Sequence, residues 1–246
     1  MIIKVEQTEH NKFEIKINNE LKYFSSMEKI SGITNHRKGE GKITNIDGIM
    51  SYTLLPSKDF SVFSGNIRRK YCIFNSLNQN CGVFYKIVSD LKHIIEYEDY
   101  KLSCYSKSIG KTKNISIYDG ENQIAEIIKS VEALENYYIF LLDEYINLQE
   151  ILSLFVSYWE FEEMYSGDTP GVVGYSYTYD KNNKFYNKNW IENNFNKEEI
   201  DLVNNQILEN RKNTINNIKK QAKFTISFFI IGWLIVLLIL GIVYFS

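Results

Sequence analysis

Proline and cysteine are nearly missing from the 246-residue chain, which has 2 of the first and 3 of the second beside 13 glycines. So little proline and glycine excludes collagen-like and proline-rich linker architectures. Three widely spaced thiols, Cys72, Cys81 and Cys104, exclude a disulfide-dense scaffold, and without a Cys-x-x-Cys pair there is no zinc ribbon. Cys72 and Cys81 flank an apparent turn and could meet across a hairpin; free thiols are the reading that a reducing compartment favours. His10, His36 and His93 are scattered, with no paired histidines at metal-ligand spacing. His93 precedes Glu96, Glu98 and Asp99, an acidic stretch that reads as a solvated loop because the spacing and glycine of a calcium loop are missing. Gly39-Glu40-Gly41 lacks the third glycine of a dinucleotide site and reads as a turn. With no nucleophile–base pair, metal set or phosphate loop, the chain reads as a non-enzyme with no catalytic residue, metal or cofactor.

Aromatic residues are abundant at 15 %, with 18 Tyr and 15 Phe, a bias towards strands. Charge is unevenly spread. The formal net charge is −2, yet residues 211–223 hold Arg211, Lys212, Lys219, Lys220 and Lys223 with no acidic group, which leaves 23 basic against 30 acidic side chains in residues 1–210. A domain at −7 is a poor nucleic-acid binder and should be repelled by anionic leaflets.

Residues Phe224–Phe245 form an uncharged run of 22 residues, which as a helix spans about 33 Å, close to the hydrocarbon thickness of a bilayer. The N-terminus has no apolar stretch of a signal peptide. The run therefore reads as a single C-terminal transmembrane helix, residues 224–245. Its basic near flank predicts a cell-membrane protein with the N-terminal domain in the cytoplasm and the C-terminus outside. In that compartment the glycosylation sequon Asn114-Ile115-Ser116 carries no weight.

Residues 1–146 read as short strands broken by polar turns. Lys12–Ile17 alternates strictly, then meets Asn18-Asn19 and Glu20–Phe24, a hairpin signal. Ile49–Leu54, Asp59–Phe63, Ile67–Phe74, Cys81–Val88, Tyr100–Tyr105, Asn114–Tyr118, Gln123–Lys129 and Tyr137–Tyr145 follow. Such a series without interleaved helices predicts a mainly β domain, an antiparallel sandwich or barrel. Arg68, Arg69 and Lys70 form its compact basic triplet, a candidate headgroup contact.

Then the period changes. Leu148, Ile151, Leu152, Phe155, Val156 and Trp159 recur at helical spacing within residues 147–161. Leu154, Tyr158 and Phe161 carry the apolar surface further round, leaving only Gln149, Glu150, Ser153, Ser157 and Glu160 polar. A helix apolar over most of its circumference is buried on most sides. A closed barrel encloses it better than an open sheet, so these residues are expected as a central core. Residues 166–195 are rich in Gly, Tyr and Asn and read as a flexible linker. Asn196 then caps a helix with Glu199 at its third position. Its narrow seam of Ile200, Val203, Ile207, Thr214, Ile215 and Ile218 suits a juxtamembrane helix, residues 196–223, lying at the membrane surface or self-associating.

The run Ile117–Ile127 resembles a late hairpin of the tubby C-terminal-like superfamily, which also includes the LURP-one-related proteins and the phospholipid scramblases. Tyr137–Tyr145 followed by Leu148–Phe161 resembles its last strand and central helix. The resemblance covers residues 1–165 and is greatest to tubby-like proteins of low-GC Gram-positive bacteria. It implies a twelve-stranded antiparallel β-barrel threaded by a hydrophobic helix. Functionally it implies a non-catalytic cytoplasmic module that binds a lipid headgroup or protein partner at the inner leaflet, or else phospholipid handling by analogy with scramblases. Scramblases carry a calcium-binding acidic segment beside the helix, where this chain has Glu160, Glu162 and Glu163 without a matching motif. The expected partners are membrane lipids and an unidentified protein, not nucleic acid. The expected lipid contacts are Arg68, Arg69, Lys70, Arg211, Lys212, Lys219, Lys220 and Lys223.

Overall fold

The computed structural model describes residues 1–9, 11–30, 38–58, 67–87, 92–109, 112–130, 136–165, 186–213, 215–216 and 219–220. Among these no helix is long and apolar enough to cross a membrane; the expected span at 224–245 lies outside the described residues. The expected strand Asp59–Phe63 lies outside them as well.

Twelve strands form the domain: β1 (Ile2–Glu9), β2 (Lys12–Ile17), β3 (Glu20–Lys29), β4 (Gly39–Asn45), β5 (Met50–Pro56), β6 (Ile67–Asn75), β7 (Asn80–Ile87), β8 (Lys92–Tyr97), β9 (Tyr100–Ile109), β10 (Thr112–Asp119), β11 (Asn122–Ser130) and β12 (Asn136–Leu141). Each pairs antiparallel with the next, and β1 pairs with β12 from Ile2↔Phe140 to Glu6↔Asn136, closing an up-and-down barrel. Closure removes the exposed edges that an open sheet would leave.

Because the strands alternate in direction, every second connection falls on the same rim. One rim, the turn rim, carries the β2–β3, β4–β5, β6–β7, β8–β9 and β10–β11 turns. Asparagine builds most of them. Asn18 and Asn19 both have positive φ, at 52° and 64°, as a two-residue hairpin turn requires. The Asn45 and Asn75 side chains each accept two backbone N–H bonds, from Asp47 and Ile49 and from Leu77 and Gln79. The remaining connections form the far rim.

The helix α1 (Gln149–Tyr165) lies inside the barrel. Leu148, Ile151, Leu152, Phe155, Val156 and Trp159 are all buried, as are Leu154, Tyr158 and Phe161. They meet the inward residues of the wall, among them Ile3, Ile15, Ile43, Ile73, Phe84 and Ile127. Burying each such side chain is worth about 1.5–3 kcal/mol. Ser153, Ser157 and Glu160 of the helix are also inside and find partners there. Ser153 Oγ donates to the Gln149 carbonyl at 2.7 Å, and the Ser157 hydroxyl bonds that of Ser25 on β3. Glu160 accepts from Lys129 Nζ at 2.6 Å and from the Tyr137 hydroxyl.

Four readings of the sequence are corrected. Gly39-Glu40-Gly41 is not a turn but the start of β4, where the helix leans on the wall. A Cβ at Gly39 would strike the Phe161 ring, and one at Gly41 would strike Met27 Sδ. His93 is not in a solvated loop. It sits in β8 and points inward with Ile95 and Tyr97, its ring centroid 5.9 Å from those of both Phe155 and Tyr158. The last strand stops at Leu141, short of Tyr145, because the chain turns across the rim in a 3₁₀ segment, Asp143–Leu148, to enter the barrel. The three thiols are free as expected, but Cys72 and Cys81 do not face one another. Cys72 alternates with the inward Tyr71 and Ile73, whereas Cys81 packs against the core and donates to the Ile73 carbonyl.

The fourth correction concerns the segment after α1. The end of the expected linker is structured. Trp190–Asn194 form a short helix, α2, and residues 197–213 form α3, capped as expected by Asn196 Oδ1 accepting from Glu199 N at 2.8 Å. The first half of the seam expected to face a membrane or a second helix is covered instead by the barrel, while Ile215 stays exposed. Val203 and Ile207, with Trp190, bury against Tyr138 and Phe140 on the outer face of β12, and Ile200 packs beside them. Residues 166–185, Thr214 and Ile218 lie outside the described residues.

The enclosed helix makes a direct test possible. Phe155 lies edge-on to Phe84 at 5.6 Å and touches no solvent. Phe155→Ala should destabilise the barrel by about 3–5 kcal/mol, read as a lowered urea midpoint with the slope unchanged. A loss below ~1 kcal/mol would mean that the helix is not enclosed.

Candidate functional site

The expected lipid-contact residues separate into two groups on opposite walls. Arg68, Arg69 and Lys70 open β6, whose wall lies across the barrel from β12. Lys70 is half-buried, and the side chains of Arg68 and Arg69 lie outside the described residues. Arg211 and Lys212 belong to α3, Arg211 half-buried and Lys212 exposed. Lys219 and Lys220 are helical and exposed, and Lys223 lies outside the described residues. No single pocket gathers the two groups. They share a rim.

The direction of α3 shows this. Phe195, just before it, stacks on Phe140 with centroids 5.1 Å apart, and Phe140 pairs with Ile2 near the turn rim. Asn210, near its end, lies beside Tyr138, which pairs with Lys4 and lies closer to the far rim. At 1.5 Å per residue, the fifteen steps from Asn196 to Arg211 advance about 22 Å along the wall. The helix therefore leads from the turn-rim side of β12 towards the far rim, with Arg211 and Lys212 at its leading end.

The far rim is basic on the β6–β11 side, whereas its β1–β4 side also carries Glu6, Glu9, Glu14, Glu28 and Glu40. Within four residues of it, β6 to β11 carry Arg68, Arg69, Lys70, Lys86, Lys92, Lys107, Lys113 and Lys129 and no carboxylate. Several are engaged locally. Lys129 holds Glu160, Lys113 lies over the Trp159 ring at 4.5 Å, and Lys107 lies over that of Tyr186 at 4.7 Å. Glu160 is thus taken by a lysine and a tyrosine, and Glu162 is buried. The turn rim has the opposite character. It holds Asp47, Glu98, Asp99, Glu121, Asp143 and Glu144, while its lysines Lys22 and Lys101 are paired with Glu20 and Glu96.

Sequence reasoning missed Lys86, Lys92, Lys107, Lys113 and Lys129 because they are scattered along the chain. The signal was one of position. In an up-and-down barrel the last residues of one strand and the first of the next share a rim, and these lysines occupy those places.

The segment leading into α3 is tied to the wall near the turn rim by a polar cluster. Glu126, on the outer face of β11, is only 1 % exposed. Its carboxylate accepts from Asn114 Nδ2 at 2.9 Å, Ser116 Oγ at 2.9 Å and Gln123 Nε2 at 2.6 Å, so Asn114 of the sequon is buried in the wall. The Gln123 carbonyl in turn accepts from the Trp190 indole at 3.2 Å. Burial raises the Glu126 carboxyl above the ordinary 4.5, and the three hydrogen bonds offset this only in part. No family model, curated protein or solved structure matches the chain.

The raised Glu126 value makes stability depend on pH. Above pH 4.5 the folded state holds this proton more tightly than the unfolded chain does. The associated stability is complete below that pH and is lost as pH rises through the folded value. Glu126→Gln should flatten this decline, seen as a urea midpoint that changes less between pH 4.5 and neutrality than in the wild type. An unchanged profile would show that Glu126 titrates normally.

Proposed function

We propose that the chain is a membrane-tethered, non-catalytic tubby-like barrel that presents its far rim to the inner leaflet and binds anionic lipid headgroups there. The tether in this reading is the transmembrane run 224–245, and the domain is cytoplasmic. The fold side rests on the resemblance to the tubby C-terminal-like superfamily, whose helix-threaded twelve-stranded barrel is the architecture described above. The lipid side rests on one observation: the rim that collects the barrel's basic strand ends is the rim towards which α3 leads the Arg211–Lys223 collar. Each basic residue near an anionic surface contributes about 1 kcal/mol of attraction. Residues 1–165 hold 19 basic against 23 acidic side chains, and the turn-rim carboxylates Asp47, Glu98, Asp99 and Glu121 lie a barrel's length from this surface. A strand of eight residues at about 3.3 Å each places them well beyond the ~8 Å screening length at physiological salt.

Flotation of residues 1–223 with vesicles tests the reading. Vesicles containing anionic lipid should carry the protein at low salt, and phosphatidylcholine vesicles should not. Reversing Arg68, Arg69 and Lys70 to Glu should weaken partition on the order of a hundredfold, from ~1 kcal/mol at each of the three positions. Equal capture by both vesicle types, or indifference to the reversals, would refute a headgroup contact at this rim.

A further inference from the structure

The turn rim carries an exposed apolar surface that neither the core nor the membrane-facing reading uses. Ile46 and Ile49 of the β4–β5 turn are 57 % and 64 % exposed, and Leu77 of the β6–β7 turn is 74 % exposed. Met50, next to Ile49 in the chain, is exposed as well, and so is Ile146 on the 3₁₀ segment that crosses the same rim. A lone exposed leucine on a protein surface means little. Here the positions are gathered by the fold. β5 pairs with β6 through Tyr52↔Asn75, so the two hairpin tips stand next to one another. Both tips are also rigid, since Asn45 and Asn75 each lock their turn with two backbone bonds. Apolar side chains on pre-ordered turns lose little freedom on binding.

We propose that this rim is a docking surface for a protein partner, which contributes an amphipathic helix bearing aliphatic side chains on one face and lysines or arginines along its flanks. Charge decides between the possible occupants. Asp47, Glu98, Asp99, Glu121 and Glu144 lie on the same rim as the apolar tips, while Asp143 is paired with the N-terminal ammonium at 2.8 Å; the rim is a complement for a cationic segment and a repulsive border for an anionic leaflet. A second copy could match it only with its own far rim, which the membrane orientation proposed above directs to the bilayer; in that respect the assignment rests on that reading. A helix laid across the tips would set its apolar positions into the spaces between Ile46, Ile49 and Leu77.

The test uses the full chain in zwitterionic nanodiscs and two synthetic helices, one of leucine and lysine and its counterpart of leucine and glutamate. The leucine–lysine helix should bind saturably at physiological salt, and the glutamate counterpart should not. Ile49→Ser with Leu77→Ser, both exposed and away from the core, should weaken binding at least about tenfold while leaving the circular dichroism unchanged. The same double variant should float with anionic vesicles as the parent does. Failure of flotation in the parent with helix binding retained would refute the membrane reading and support the rim assignment. No helix binding, binding unaffected by the double variant, or a lower sedimentation coefficient of the double variant, which would mark the rim as a contact between copies, would each overturn the assignment.

Discussion

A helix that is apolar all round dictates the architecture of this molecule. A sheet packed on one side of α1 would leave Leu154, Tyr158 or Phe161 in water, so only a wall that returns to its starting strand satisfies the sequence. The closing pair β1 and β12 is therefore a condition for the helix to exist at all, because a seventeen-residue segment of this kind has no stable solvated alternative. The wall also yields to the helix at particular points. Two glycines on β4 give way to Phe161 of the helix and to Met27 of β3, and Ser25 on β3 meets Ser157 on α1 so that neither of these hydroxyls is buried alone.

Strand direction sorts charge in a way that composition conceals. The barrel's excess of carboxylates does not spread into a uniformly acidic surface. Alternate strand ends share a rim, and from β6 to β11 the chain places lysine and arginine at the far-rim ends and aspartate and glutamate in the opposite turns. The result is a barrel with a charge axis. Its α1 also runs along that axis, with its C-terminal end among the lysines, where a helix's partial negative charge is stabilised by cations.

Much of the fold was legible because the signals were periodic. The alternation in Lys12–Ile17, the asparagine turns and the continuous apolar surface of residues 148–161 each pointed to the element found. The misreadings have local causes. β4 was hidden because its glycines, Gly39 needed for close contact with Phe161 of the distant helix and Gly41 for contact with Met27 on β3, imitate turn chemistry. β8 was hidden because Glu96, Glu98 and Asp99 divide between an outward strand position and a turn, a division set by pairing partners and not by the segment itself. The Ile200–Ile207 seam was read correctly as an apolar face, but its partner, Tyr138 and Phe140 on the outside of β12, is invisible without the barrel. The candidate site fared worse, since only Arg68–Lys70 and the collar are contiguous in sequence.

The docking of α3 along the barrel wall also bears on mechanics. Were residues 166–195 a free tether, the barrel could wander up to about 100 Å from its attachment and tumble independently. With α2 and α3 fastened over β12, the chain stays bound to the wall almost to residue 213, and any pull from beyond it runs nearly parallel to the contacts it loads. Tyr138, Phe140, Val203 and Ile207 then share the force in shear, all at once, where peeling would separate them in succession. The barrel and its stalk should consequently transmit torque and tension as one stiff body, with the β1–β12 seam beneath them as the first stretch of the wall to feel the strain.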